Sequence, residues 1–144
     1  MTQNRFVGTW RLVSAETRTS DGQITYPWGR DALGYLVYNT DGYMMVAIMS
    51  CNPTKFASSD PRGGSVEEKA AAFDTFLSYG GRYEVKVDRV IHHMEVCSYP
   101  DWAGDNQERF FEFHDDRLEL HTPPVLFHGK QQTGHLIWQR VRIR

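Results

Sequence analysis

Gly8-Thr9-Trp10-Arg11-Leu12-Val13-Ser14 carries a glycine two residues ahead of a tryptophan, at the start of a run with strand character. Leu136-Ile137-Trp138-Gln139-Arg140, near the other end of the 144-residue chain, has the same character. If the two runs are neighbours in a closed sheet, the Trp10 indole plugs one end of a barrel. The Arg140 guanidinium can then lie on its face, a contact that contributes about 0.5–2 kcal/mol. Everything between them has to form the rest of the sheet.

The intervening chain reads as a succession of strands. They are expected over 8–19, 34–39, 43–49, 81–87, 90–99, 107–114, 117–121 and 133–142, most of them separated by turn residues such as Asp41-Gly42 and Asp115-Asp116. Ser65-Val66-Glu67-Glu68 is a capping box. After it Val66, Ala70, Phe73 and Leu77 recur at helical spacing, with Phe76 at the edge of the stripe and Gly80-Gly81 as the stop. This predicts one amphipathic helix of about four turns, between the third and fourth strands and covering the outer face of the apolar run Tyr43–Met49. The fold class is therefore all-β: an eight-stranded antiparallel up-and-down barrel with one helix. Closure removes the sheet edges, and eight strands leave room for packed side chains or one small ligand.

The ordered set of Gly8-Thr9-Trp10-Arg11-Leu12-Val13-Ser14, Tyr26-Pro27-Trp28-Gly29, Gly34-Tyr35-Leu36-Val37-Tyr38, Asp41-Gly42-Tyr43-Met44, Gly81-Arg82-Tyr83 and His92 through Trp102-Ala103-Gly104, with Arg140 in the last strand, resembles the lipocalins and the wider calycin superfamily. The similarity is tightest to the bacterial lipocalin-like domain family, over nearly the whole chain. A helix between the third and fourth strands departs from standard lipocalins, whose main helix follows the barrel, but fits the lipocalin-like family. The resemblance implies a barrel with an internal cavity for a small molecule. It also implies a second possibility, since some lipocalin-like proteins of secondary metabolism are cofactor-independent isomerases or cyclases.

Composition sets the outer limits. At this length one domain, 1–144, is expected, and 40% hydrophobic residues make it globular. A net charge of −2 and the absence of a basic block give no footprint for nucleic acid. No stretch reaches the roughly 20 apolar residues of a membrane helix, and Met1–Val7 has no apolar signal-like core. Cys51 and Cys97 form no close-spaced metal motif. A reduced, cytoplasmic protein follows as the expectation. Its partners are one small hydrophobic molecule, no nucleic acid and no membrane, with a homodimer left open.

Strand phasing turns three polar residues inward: Tyr83, His92 and Arg109. An isolated buried guanidinium is costly without an anion. Arg109 thus either binds an acidic or carbonyl oxygen of a ligand or forms an internal salt bridge with Glu16, which the unbroken alternation from Trp10 also places inside. In an enzyme, His92 would be the acid/base, with Arg109 and Tyr83 stabilising negative charge on oxygen. A lone histidine on an apolar face and a barrel-lining tyrosine also have purely structural readings. Adjacent His92 and His93 point to opposite faces, and the more apolar set Val90, His92, Met94, Val96 and Ser98 is taken as the inner one. The residues expected to contact a ligand are Glu16, Trp28, Tyr38, Met94, Phe111 and Trp102.

His114, His121, His128 and His135 recur every seven residues, a spacing without meaning on strands, and are read as coincidence. No zinc spacing, phosphate loop or nucleophile elbow occurs, so neither a metal nor a cofactor is called for. Three functions stay open: a small-molecule binding barrel, a cofactor-independent isomerase or cyclase, and a filled structural or interaction barrel.

Overall fold

The computed structural model describes residues 4–127 and 129–142. The strands are β1 (Gly8–Thr19), β2 (Ile24–Thr25), β3 (Leu33–Tyr38), β4 (Tyr43–Met49), β5 (Phe76–Val85), β6 (Arg89–His93), β7 (Val96–Cys97), β8 (Asn106–His114), β9 (Arg117–His121), β10 (Val125–Phe127) and β11 (Lys130–Arg140). Helix α1 (Val66–Asp74) lies between β4 and β5. Eight of the strands, β1, β3, β4, β5, β6, β8, β9 and β11, pair antiparallel in sequence order, and β11 closes the ring on β1. The three short strands β2, β7 and β10 pair alongside β1, β5 and β11.

Connection length sorts the two ends of the barrel. The tight turns at 39–42, 86–88 and 115–116 lie at the end that holds the start of β1 and the finish of β11. All four long connections, 20–32, 50–75, 94–105 and 122–129, lie at the other. The short-turn end is sealed by aromatics. Trp10 is fully buried and its Nε1–H donates to the Phe6 carbonyl at 2.9 Å. Phe6 in turn stands edge-on to Tyr38, Phe111 and Phe113. Arg140 caps the plug, 4.2 Å from the Trp10 ring.

Two bulges break the simple alternation of faces. The β1–β11 register slips between Leu12 and Ser14, so Trp10 and Leu12 point inward, Val13 is exposed, and Ala15 and Thr17 take over the inner face. Glu16 is consequently not aligned with Trp10. Its carboxylate pairs with Arg18 at 2.5 Å. A second slip lies at Met94–Glu95, between the β6 and β7 pairings with β5. Val90, His92 and Met94 face the core as expected, but beyond the slip Val96 is 69% exposed and Cys97 packs inward instead. An extra residue opposite one partner residue flips every side chain that follows.

The helix is shorter than its apolar spacing suggests. The capping box forms as expected: Glu68 N–H donates to Ser65 Oγ and Ser65 N–H to the Glu68 carboxylate. It ends at Asp74, where Thr75 caps it and donates its hydroxyl to the Ala71 carbonyl at 2.8 Å. Phe76 and Leu77 already belong to β5. Nor does α1 cover β4: it buries none of its residues, with Val66 80% and Phe73 50% exposed. The outer face of β3 and β4, with Leu33, Tyr35, Tyr43 and Met45, stays open to solvent.

Candidate ligand site

A cavity of about 100 Å³ occupies the long-connection half of the barrel. Its wall is mostly apolar, from Ala15 on β1, Leu36 on β3, Val46 and Ile48 on β4, Leu120 on β9 and Leu136 on β11. For scale, an engineered apolar cavity of about 150 Å³ holds a benzene molecule. This space is smaller than that, so a single-ring guest fills it and extends into the mouth. Its mouth is bordered by Pro27 and Trp28 from the β2–β3 connection, Trp102 from a 3-10 turn over Pro100–Trp102, and Val125–Phe127 of β10. Three connections that would otherwise leave aromatic surface in water converge here because every long connection exits at this end.

The polar part of the wall is concentrated on β5, β6 and β8. His92 is 1% exposed and borders the cavity. Its Nε2 lies 2.7 Å from the Tyr38 hydroxyl and its Nδ1 2.8 Å from the Tyr79 hydroxyl. Burial, reinforced by the positive charge of Arg109, holds the imidazole well below its usual pKa, so it is neutral. Burial raises both tyrosine hydroxyls, and at Tyr79 the neighbouring Arg109 guanidinium partly opposes the rise.

Arg109 is 8% exposed and borders the same cavity. Its Nη1 donates to the Glu108 carbonyl at 2.9 Å and weakly to Gln107 Oε1 at 3.4 Å. Among the described residues no carboxylate pairs with it. The Glu16–Arg109 salt bridge offered as one reading of the sequence does not form, because the Val13 bulge commits Glu16 to Arg18. Trp138 also lines the cavity, and its buried Nε1–H has no acceptor among the described residues. Gln132 Oε1, the other buried polar atom left unanswered among the described residues, belongs to a residue outside the cavity wall.

The sequence-derived set therefore separates in space. His92, Arg109, Trp28 and Trp102 meet around the cavity, and Glu16 borders it with its carboxylate engaged elsewhere. Tyr38 stands one layer behind, holding His92. Tyr83 does not reach the cavity: its hydroxyl donates to the Asn39 carbonyl at 2.7 Å and accepts from Asn4 at 3.0 Å, at the sealed end. Phe111 belongs to the aromatic plug and Met94 to the core, neither on the cavity wall. Tyr79 was missed because the apolar spacing ran the helix through it. The signal that finds it is the alternation Leu77, Tyr79, Gly81, Tyr83, which continues the period of the strand backwards.

His93 faces outward, between Glu84 at 2.8 Å and Asn106 at 2.6 Å. Of the histidines spaced by seven, His128 lies outside the described residues. His121 and His135 do meet, stacked at 5.8 Å through cross-strand register rather than sequence period. The described residues offer one metal-type cluster, Glu112, His114 and Glu119, on the outer surface and away from the cavity.

Comparison with known proteins agrees with this architecture. No solved structure matches the chain. A curated relative, the 4'-hydroxy-3'-methoxypropiophenone carrier protein ppsC of Aspergillus oryzae, is 38% identical over 87 residues, covering 54% of this chain and 78% of that protein. The model of the lipocalin-like domain matches residues 7–141, from just before the Gly8–Trp10 plug to just past Arg140. A closed eight-stranded meander and a match that runs from one end of the ring to the other make this chain a member of the lipocalin-like domain family.

Proposed function

We propose that this protein binds one small, largely apolar molecule bearing an acidic or carbonyl oxygen, and acts as its carrier. The observation that carries this reading is Arg109: a buried guanidinium on an apolar cavity wall with no carboxylate to neutralise it. A protein gains nothing in stability from such a group, whereas a ligand oxygen placed against it gains a charge-assisted hydrogen bond. The name of the fungal relative adds a chemical class, since it carries an aryl ketone with a phenol on the ring. A guest of that kind matches the cavity in polarity, with its ring inside and its substituents reaching into the mouth. The free thiols of Cys51 and Cys97 fit a reducing compartment, and we place the carrier in the cytoplasm.

Native mass spectrometry of freshly purified protein tests this. A co-purified small molecule, displaced by 4'-hydroxy-3'-methoxypropiophenone, is the expected result. No bound species and no uptake of added aryl ketones or aromatic acids would overturn it.

A second reading is favoured by one observation, the neutral His92 imidazole held between two tyrosine hydroxyls beside a fixed positive charge. That chain can move a proton to or from a ligand made acidic by its carbonyl, as an isomerase or cyclase requires. Solvent deuterium entering the carbon next to the carbonyl of bound ketone, faster with protein than without, would favour the enzyme. Binding without exchange leaves the carrier.

A further inference from the structure

The proton order along Tyr38, His92 and Tyr79 follows from which hydroxyl has somewhere else to send its hydrogen. Tyr38 is 1% exposed, lies off the cavity wall, and has His92 Nε2 as its sole hydrogen-bond partner among the described residues. If His92 donated from Nε2, the Tyr38 hydroxyl hydrogen would be buried with no acceptor, at the full cost of desolvating a donor. Tyr38 therefore donates to Nε2. A neutral imidazole carries one hydrogen, so it sits on Nδ1 and is donated to the Tyr79 oxygen. Arg109 stands beside Tyr79 and makes its hydroxyl a stronger donor. The Tyr79 hydroxyl hydrogen is left over, and Tyr79 does border the cavity.

We infer that Tyr79, oriented by the Tyr38–His92 pair, presents its O–H to the ligand, and that the cavity selects molecules with an unprotonated acceptor oxygen: a ketone, enolate or phenolate. His92 positions this donor from behind and does not touch the ligand oxygen. Arg109 supplies the second donor to the same oxygen. This inference rests on the ligand-binding reading above and assigns its polar contacts. Where a proton is exchanged with the ligand, it moves between the Tyr79 oxygen and the ligand and returns by the same path.

The test has two arms, one independent of any ligand. In the full chain with 15N-labelled histidine, long-range 15N–1H correlation at neutral pH reads the His92 tautomer. Hydrogen on Nδ1 is expected; hydrogen on Nε2 would overturn the proton order. The second arm compares propiophenone with propylbenzene, which lacks the carbonyl. Tyr79→Phe is expected to weaken propiophenone about five-fold, the size of one net hydrogen bond, and to leave propylbenzene unchanged. Tyr38→Phe, away from the cavity, removes the hydroxyl that fixes the His92 tautomer and is expected to give a smaller loss of the same one-sided kind. Equal losses for both ligands, or none for the ketone, would overturn the role given to Tyr79. Failure of the wild-type protein to bind either ligand would instead sink the carrier reading, with the tautomer still decided by the first arm.

Discussion

The Arg140 guanidinium occupies the space that a side chain at Gly8 would need. A Cβ on Gly8 would fall 2.8 Å from Arg140 Nη1, and Gly8 holds a positive φ of 135°. From this position Arg140 donates to the Val7 carbonyl at 2.8 Å and the Arg5 carbonyl at 2.6 Å while covering the Trp10 ring. Glycine before the tryptophan and arginine in the last strand are thus two halves of one closure. Arg140→Met keeps the bulk but loses both hydrogen bonds and the cation over the indole. It is expected to lower unfolding free energy by about 2–4 kcal/mol, read from urea denaturation. Gly8→Ala is expected to destabilise in the same direction.

The buried neutral His92 makes stability depend on pH in a defined direction. Unfolded, the imidazole titrates near 6.5; folded, burial and Arg109 depress it well below that. Between the two values the unfolded chain binds a proton that the folded chain refuses. Its contribution is complete above pH 6.5 and is lost as pH falls toward the folded value, with a limiting slope of about 1.4 kcal/mol per pH unit. Urea midpoints measured from pH 8 to pH 5 should fall across the acid half of that range. In His92→Gln the fall should be shallower, because the remaining slope belongs to other groups such as the partly buried His135. An unchanged slope in the variant would assign the pH dependence elsewhere.

How far the sequence disclosed this depended on whether a pattern was local. Strand order, the Trp10–Arg140 closure, the capping box at Ser65 and the inward phase of His92 and Arg109 were all legible, because each rests on turn residues or on alternation over a few positions. What was not legible were the interruptions. A bulge leaves no mark in composition, so the slip at Val13 misplaced Glu16 and the slip at Met94–Glu95 misplaced Val96. Tyr79 was hidden for a different reason. Phe73, Phe76 and Leu77 satisfy a helical spacing as well as a strand start, and no glycine or proline stands at Thr75 to separate them. The proton order at His92 depends on Tyr38 and Tyr79 meeting it from strands 54 and 13 residues away.

The loop aromatics at the mouth should report occupancy. Trp28 and Trp102 border the cavity mouth and are half-buried, Trp138 lines the cavity from the core, and Trp10 is sealed in the plug. A guest larger than one ring has to displace the Trp28 and Val125–Phe127 cover. Saturating ligand is expected to shift tryptophan emission in the wild-type protein, and Trp28→Phe should remove a large part of the shift. Stopped-flow release should be several-fold faster in Trp28→Ala, since a cover that excludes water slows dissociation more than it slows entry. Release at the wild-type rate would mean that this loop does not close the mouth.

Arg109 separates binding from stability, and its replacement tests the central claim most directly. An unpaired buried charge costs more than a methionine of similar length, so Arg109→Met should fold at least as stably as the wild-type protein. Isothermal titration of both proteins with 4'-hydroxy-3'-methoxypropiophenone should show saturable one-to-one binding to the wild type. Loss of a charge-assisted hydrogen bond should make binding to the variant weaker by about ten-fold or more. Equal affinity in the two proteins, or a variant that unfolds while wild-type binding is absent, would contradict the account.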